Sequence, residues 1–289
     1  MMSITAAEPI VKPRPFTAAT LTRALLYGLL LGGAIVALLP TLWMISASFM
    51  ATGEANSYPP HFVPHAPTLE HYRALFGRLS LGRYLANSAF VSIAVTVLSL
   101  AVNSLAGYAL AKLRFKGRDR LFRALALGLV IPVQVSMLPL FLLMKSLHLV
   151  NTYWGVIIPG MASIFGIFLI RQYALSIPED LLDAARVDGA SELRIYRSVV
   201  LPVIAPILAT LAIWTFLATW NDFMWPLIIL SDDRRFTLPV ALAALSGEHV
   251  QDTELMMAGS VVTVLPVLLA FLILQRYYVA GIMVGSVKE

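Results

Sequence analysis

The residues able to do chemistry in this chain are few, and they sit among long apolar runs. Asp222, beside Asn221 near the end of one run, is the one serious candidate for an ionisable group within an apolar segment. Asn87, Asn103 and Gln134 are its uncharged counterparts. Amide and carboxylate groups of this kind suit a hydroxyl-rich solute, although bonding between helices is the commoner use of an amide in such a place. A second set, Glu179, Asp183 and Asp188 with Ala184, Ala185 and Gly189, lies between two apolar runs and suits docking better than catalysis. The chain has no cysteine, which removes thiolate nucleophiles, disulfides and cysteine-based zinc sites. His61, His65, His71, His148 and His249 lie outside the apolar runs at spacings unlike a metal-binding helix, and they read as solvated loop residues. No Gly-Lys pair exists, so a P-loop is absent and the chain carries no ATPase site of that type. No nucleophile is paired with a base. A non-enzyme without cofactor or metal is expected.

Composition says what positions these residues. Of 289 residues, 59% are hydrophobic and only 13% charged, with a mean hydropathy of +0.81. A soluble domain carries about a quarter charged residues, so much of this surface faces something other than water. About 20 apolar residues cross a hydrocarbon core, and six runs qualify: 24–48, 85–111, 122–145, 152–174, 201–230 and 257–280. The fold class is therefore all-α, a polytopic membrane protein with six transmembrane helices. Residues 1–23 form an N-terminal segment, 24–280 the membrane domain and 281–289 a tail. The first run is too long for the apolar part of a secretory signal and reads as a retained span.

A net charge of +5 and a pI near 9.6 would suit nucleic acid, but the basic residues sort by loop. Fifteen of the 21 Lys and Arg fall on the side of the N-terminus and six on the other. Cytoplasmic loops collect such residues, so both termini are placed in the cytoplasm of a cell with a plasma (inner) membrane, with membrane lipid and no nucleic acid as partner. Loops 49–84 and 231–256 are then external, and loop 175–200 is cytoplasmic.

That cytoplasmic loop has a readable design. Ser176 with Glu179 forms a capping-box pattern, and Pro178 fits the first helical turn. Leu181, Leu182 and Ala185 recur at helical spacing, while Glu179, Asp183 and Arg186 fall on the polar side. Gly189 is placed to end the helix in a left-handed conformation, and a second short helix from residue 191 leads into Leu201 and Pro202. The acidic polar face would be repelled by anionic lipid, so a soluble protein is the expected partner.

The order Asp183-Ala184-Ala185, Asp188-Gly189-Ala190 and Leu201-Pro202 resembles the ATPase-docking ("EAA") loop of permease subunits in ATP-binding-cassette importers, with Asp183 where glutamate is usual and Tyr196 where phenylalanine is common. The run Trp220-Asn221-Asp222-Phe223-Met224-Trp225-Pro226-Leu227 is similar to one in permeases of the carbohydrate-uptake type, those of maltose transporters among them. Phe236-Thr237-Leu238-Pro239, Gln275-Arg276-Tyr277-Tyr278 and Gly285-Ser286-Val287-Lys288 continue the likeness, which departs at Glu289 and in the N-terminal extension. The resemblance implies a type I ABC importer permease fold, a second and related permease, two ATPase subunits and an external substrate-binding protein. It implies coupling through Glu179, Asp183, Ala184, Ala185, Asp188, Gly189, Leu201 and Pro202, and a carbohydrate or related polyol as solute. An importer of another small solute and a stand-alone secondary carrier are the competing readings. The scarcity of carboxylates within the spans weighs against the carrier, which needs an ion site there.

Overall fold

The computed structural model describes residues 18–59, 61–248 and 252–286. The N-terminal segment to residue 17, His249 and the end of the tail with Lys288 lie outside the described residues. So do the side chains of Gln275, Arg276, Tyr277 and Tyr278.

Helix α1 (Ala18–Ala47) is followed by a short α2 (Glu70–Gly77) and the long α3 (Leu81–Lys112). Then come α4 (Arg118–Gly128), α5 (Val133–Ser146), α6 (Tyr153–Gly160) and α7 (Ile164–Leu175). The elbow carries α8 (Glu179–Val187) and α9 (Glu192–Ile195), and a π-turn at Tyr196–Val200 runs into α10 (Leu201–Trp220). After α11 (Met224–Ile229) and α12 (Leu238–Glu248), α13 (Thr253–Ser286) ends the described chain. No strand occurs among the described residues.

Five stretches are long and apolar enough to cross a membrane, and there are six when the bent pair α4–α5 is taken as one broken span. The third span is thus not the continuous run expected from 122–145. The chain turns by 108° between α4 and α5, where Pro132 has no N–H to give and biases the preceding residue away from helix. The fourth span breaks after Gly160 and restarts at a cap in which Ser163 Oγ accepts from Gly166 N at 3.2 Å. The fifth helix stops at Trp220, short of the expected 230, and the chain re-forms as the separate α11.

Helix α3 is the central post and packs most extensively on α7 and α10, while α10 packs on α13 and α13 on α1. Its buried face carries Ser88, Ser92, Ser99, Asn103 and Ser104 among apolar residues such as Val91 and Val95. Between membrane helices there is little hydrophobic drive, so small residues and hydrogen bonds hold the contact. The approach is close: a Cβ on Gly166 would stand 2.6 Å from Asn103 Nδ2. The apolar side chains of α1, such as Leu29 and Val36, are exposed as lipid contact requires.

Candidate functional site

Lys112, the last residue of α3, determines how the elbow sits. It is only 6% exposed. Its Nζ donates to the carbonyl of Ile177 at 2.6 Å, to that of Leu175 at 3.5 Å and to Glu179 Oε1 at 2.9 Å. Those acceptors replace water around a buried ammonium, which would otherwise be very costly to keep charged. The expected capping box does not form. Helix α8 begins at Glu179 behind Pro178, and Ser176 Oγ donates to the Tyr173 carbonyl at 2.7 Å. Glu179 turns to Lys112 because a charge-assisted bond outweighs a neutral cap.

A second tie centres on Glu192. Its Oε2 accepts from the Tyr108 hydroxyl at 2.6 Å and its Oε1 from Arg186 Nε at 2.9 Å. Arg186 also donates from Nη1 to Asp183 Oδ1 at 2.7 Å. The bonds to Glu192 and then to Asp183 raise the guanidinium pKa above its ordinary value, so this arginine stays charged at any working pH. Below the ion pairs, Leu182 and Ile195 are fully buried with Ile177, Tyr108, Tyr196 and Ile204 in one core. Burying a side chain such as Leu182 contributes about 2 kcal/mol. The elbow is therefore fastened to α3 and α10 by both charge and packing, and it cannot shift as a body without moving them.

The outer face of α8 is left uncovered. Asp180, Leu181, Asp183, Ala184 and Asp188 are exposed, and Val187 is 87% exposed. Gly189 has φ +76°, with its N–H donating to the Arg186 carbonyl and the Ala190 N–H to that of Ala185, both at 3.0 Å. This is the six-to-one closure that ends a helix with a left-handed residue. Nothing lies within 4 Å of the missing Cβ, so the backbone angle, and not lack of space, selects glycine. Leu201 and Pro202 open α10 with their side chains exposed. The π-turn before them provides the wider register that suits a proline lacking its N–H.

The five amide and carboxylate candidates separate into two groups. Asn87 is bound into the opposite end of the bundle: its Nδ2 donates to the carbonyls of Arg234 and Phe236, both at 3.0 Å, and its Oδ1 accepts from the Tyr153 hydroxyl at 2.8 Å. Asn103 is fully buried, with Nδ2 donating to Ser99 Oγ at 2.7 Å and Oδ1 accepting from Ser163 N at 3.0 Å across the break between α6 and α7. Both are bonded on the nitrogen and the oxygen within the packing. Gln134 is exposed on α5 and lines a hollow of about 340 Å³ with Met137 and Ile228. Asp222 lines a neighbouring cavity of about 240 Å³ that shares Met137 and includes Ser136 and Thr219, and its Oδ1 accepts from Trp225 N at 3.4 Å. Asn221 is exposed, and its Nδ2 donates to its own helix at the Leu217 carbonyl. The two tryptophans of this run are anchors: Trp220 Nε1 donates to the Thr263 carbonyl and Trp225 Nε1 to that of Gly155, both at 3.1 Å.

One expectation is corrected among the histidines. His71 is buried, donating from Nε2 to the Met50 carbonyl at 2.9 Å, because α2 folds back against the end of α1. Sequence reasoning also missed Lys112, Tyr108 and Glu192 as parts of the elbow. A lysine in the last turn of a helix is a known complement to the helix dipole, and that was the available signal for Lys112. Nothing local pairs Tyr108 with a residue 84 positions away.

Comparison with known proteins bears on both ends of the bundle. Residues 103–284 match the family described as binding-protein-dependent transport system inner membrane component. An arabinooligosaccharide transport system permease protein of Halalkalibacterium halodurans is 42% identical over 258 residues, covering 88% of this chain and 92% of its own. A trehalose/maltose transport system permease protein of Thermococcus litoralis is 34% identical over 261 residues, covering 88% and 93%. Among solved structures, a bacterial ABC transporter that imports the acidic polysaccharide alginate contains a chain similar to this one with TM-score 0.79 and 26% identity, over 91% of this chain and 98% of that one.

Proposed function

Because the chain belongs to the binding-protein-dependent transport system inner membrane components, we propose that it is the carbohydrate-conducting permease of an importer whose ATPases dock on α8. It is a multi-pass membrane subunit with the ABC importer permease fold, and it is a transport protein and not an enzyme. In this reading it pairs with a second, related permease, two ATPase subunits and an external binding protein, and its termini lie in the cytoplasm. The sugars named for its relatives support an oligosaccharide or a related polyol as solute.

The observation that carries the coupling role is the contrast within α8 itself. Its inner face is locked by Lys112, Glu192 and Leu182, while its outer face, with Asp180, Ala184, Val187 and Asp188, is open. Closure of the ATPases would push on that open face, and the lashings would pass the displacement to α3 and α10. Asp183 has a double part, pairing with Arg186 while exposed to a partner. Gln134 and Asp222, on adjoining hollows, are the groups we assign to the passage; Asn87 and Asn103 hold its walls.

The absence of native cysteine makes the test direct. A single cysteine at Val187 is expected to label only from the cytoplasmic side and to cross-link to an ATPase subunit, while one at Tyr58 labels only from outside. Labelling of Val187→Cys from outside would end this reading. In proteoliposomes holding the assembled transporter, oligosaccharide uptake should require both ATP and the binding protein.

A further inference from the structure

One strongly charged patch takes no part in the elbow's lashings. Between α3 and α4 the chain reverses at Gly117, in the left-handed region at φ +89°. The reversal gathers Arg114, Lys116, Arg118, Arg120 and Arg123 around an open hollow of about 900 Å³. The one acidic residue on its rim, Asp119, is taken by Arg118 Nε at 3.1 Å, and its carbonyl accepts from Arg123 Nε at 3.2 Å. Arg114, Lys116 and Arg120 are exposed and have no hydrogen-bond or ion-pair partner among the described residues. Cations held this close repel one another until an anion enters.

Helix α4 shows which anion fits. None of its residues is buried, and it turns across the direction of α5 at 108°. Leu121 and Leu127 are exposed beside the arginines. Phe122 ties the helix to α7, stacked on Phe168 at 6.0 Å with the Arg171 guanidinium 3.8 Å from its ring. Arginines beside exposed leucines at the start of a span suit the headgroup layer, where the charges meet phosphate and the leucines meet acyl chains. A soluble anion would meet the charge but would gain nothing from leucines on the same helix.

We propose that this hollow holds the phosphate headgroup of an anionic membrane phospholipid, with Arg114, Lys116 and Arg120 as its principal ligands and the exposed leucines of α4 against its acyl chains. The site adjoins the elbow, since Arg114 also lines a hollow with Asp183, Arg186 and Glu192, and so it faces the same side of the membrane.

The test uses the purified full chain titrated with phosphatidylglycerol, phosphatidylcholine or soluble glycerol phosphate, with bound molecules counted by native mass spectrometry. Phosphatidylglycerol should be retained well above phosphatidylcholine. Each basic residue near an anionic surface is worth about fivefold, so the triple variant R114Q/K116Q/R120Q should lose about a hundredfold in that affinity. The charge-keeping variant R114K/K116R/R120K should stay near wild type. Unchanged retention by the glutamine variant overturns the site. Glycerol phosphate binding as tightly as the lipid overturns the lipid assignment in favour of a soluble anion. In the assembled transporter, loss of ATPase subunits from the glutamine variant with lipid retention intact reassigns the face to a protein. Should the glutamine variant misfold, wild-type affinity that fails to fall with added salt overturns the proposal by itself.

Discussion

Helices α8 and α12 are short inserts in two of the long loops, near opposite ends of the bundle, and they are buried to very different extents. Helix α12 sinks Leu238, Val240, Ala241, Leu242 and Leu245 against α13 and α3, and its first N–H donates to Ser88 Oγ at 2.7 Å. Helix α8 buries Leu182 alone and is otherwise held from its edge by charges. The sequences already differ in this sense, one apolar almost throughout and the other acidic outside with a narrow apolar stripe. The lesson concerns what a loop helix is for. An insert that completes the bundle gives up its apolar faces to it, whereas an insert kept for a partner is fixed by its rim and leaves a face open.

The sharpest way to break that comparison is at Gly189. Valine there must adopt φ near +76°, a conformation that costs an L-residue about 1–2 kcal/mol and a β-branched one more. With free space around the Cβ, the penalty falls on the turn alone. ATP-dependent uptake by Gly189→Val in proteoliposomes should fall by about tenfold or more, as strain of 1–2 kcal/mol at the joint implies, with the chain still inserted in the membrane. Gly189→Asn, which tolerates the left-handed region, should restore most of it. If valine transports normally, the open face of α8 is not a coupling surface.

Next in size is Lys112→Met, which keeps the stem but removes the charge from beneath the elbow. The carbonyls of Ile177 and Leu175 then lose their donor. Glu179, whose side chain is half exposed, is rescued by water. The expected cost is therefore about 1–3 kcal/mol, below that of an ion stranded in a dry core. Thermal unfolding should drop, and hydrogen exchange should quicken in residues 175–195 with 231–248 unchanged. A uniform change along the chain would show that the two ends are not independently fastened.

The elbow, its stop at Gly189 and the number of spans were legible because each rests on local pattern: helical spacing, a glycine requiring positive φ, and apolar length. What sequence could not give is partner choice at a distance. Glu179 has an available cap partner three residues away and takes Lys112 instead, 67 positions distant, because tertiary charge outweighs local capping. Asn87 and Asn103 look alike in the sequence to Gln134, and only packing shows that the first two are bonded within the bundle while the third is exposed. The 108° turn at Pro132 was visible as a proline but not as a change of direction, since a proline in a membrane helix is as often a mild kink.

Asn87 sharpens the comparison from the other end. Asn87→Leu leaves the Arg234 and Phe236 carbonyls and the Tyr153 hydroxyl without their partner. Neutral groups half-shielded from water cost about 1–2 kcal/mol when orphaned. Exchange should quicken at residues 231–238 while α8 stays protected, and ATPase docking in a pull-down should be unchanged. Weakened docking would mean that the two ends communicate through α3 even at rest.

The smallest effect is expected at Glu54, where the end opposite the elbow also uses a charge. Its carboxylate accepts from the His65 backbone N–H at 2.8 Å, from the His65 ring at 2.7 Å and from Ala51 N at 3.1 Å, which together lower its pKa to about 2. A carboxyl group with a depressed folded pKa contributes stability that is complete above its unfolded value near 4.5 and is lost as pH falls towards 2. The fold of residues 51–68 should therefore be insensitive to pH from 7 down to about 5, where the unfolded carboxylate begins to take up protons, and loosen below that. Proteolysis within this loop, followed against pH, should rise only on the acidic side, and Glu54→Gln should show the raised rate at every pH. A loop whose cleavage already changes between pH 7 and 6 would show that the Glu54 carboxylate does not fasten it, and the contrast between charged and neutral fastening would have to be redrawn.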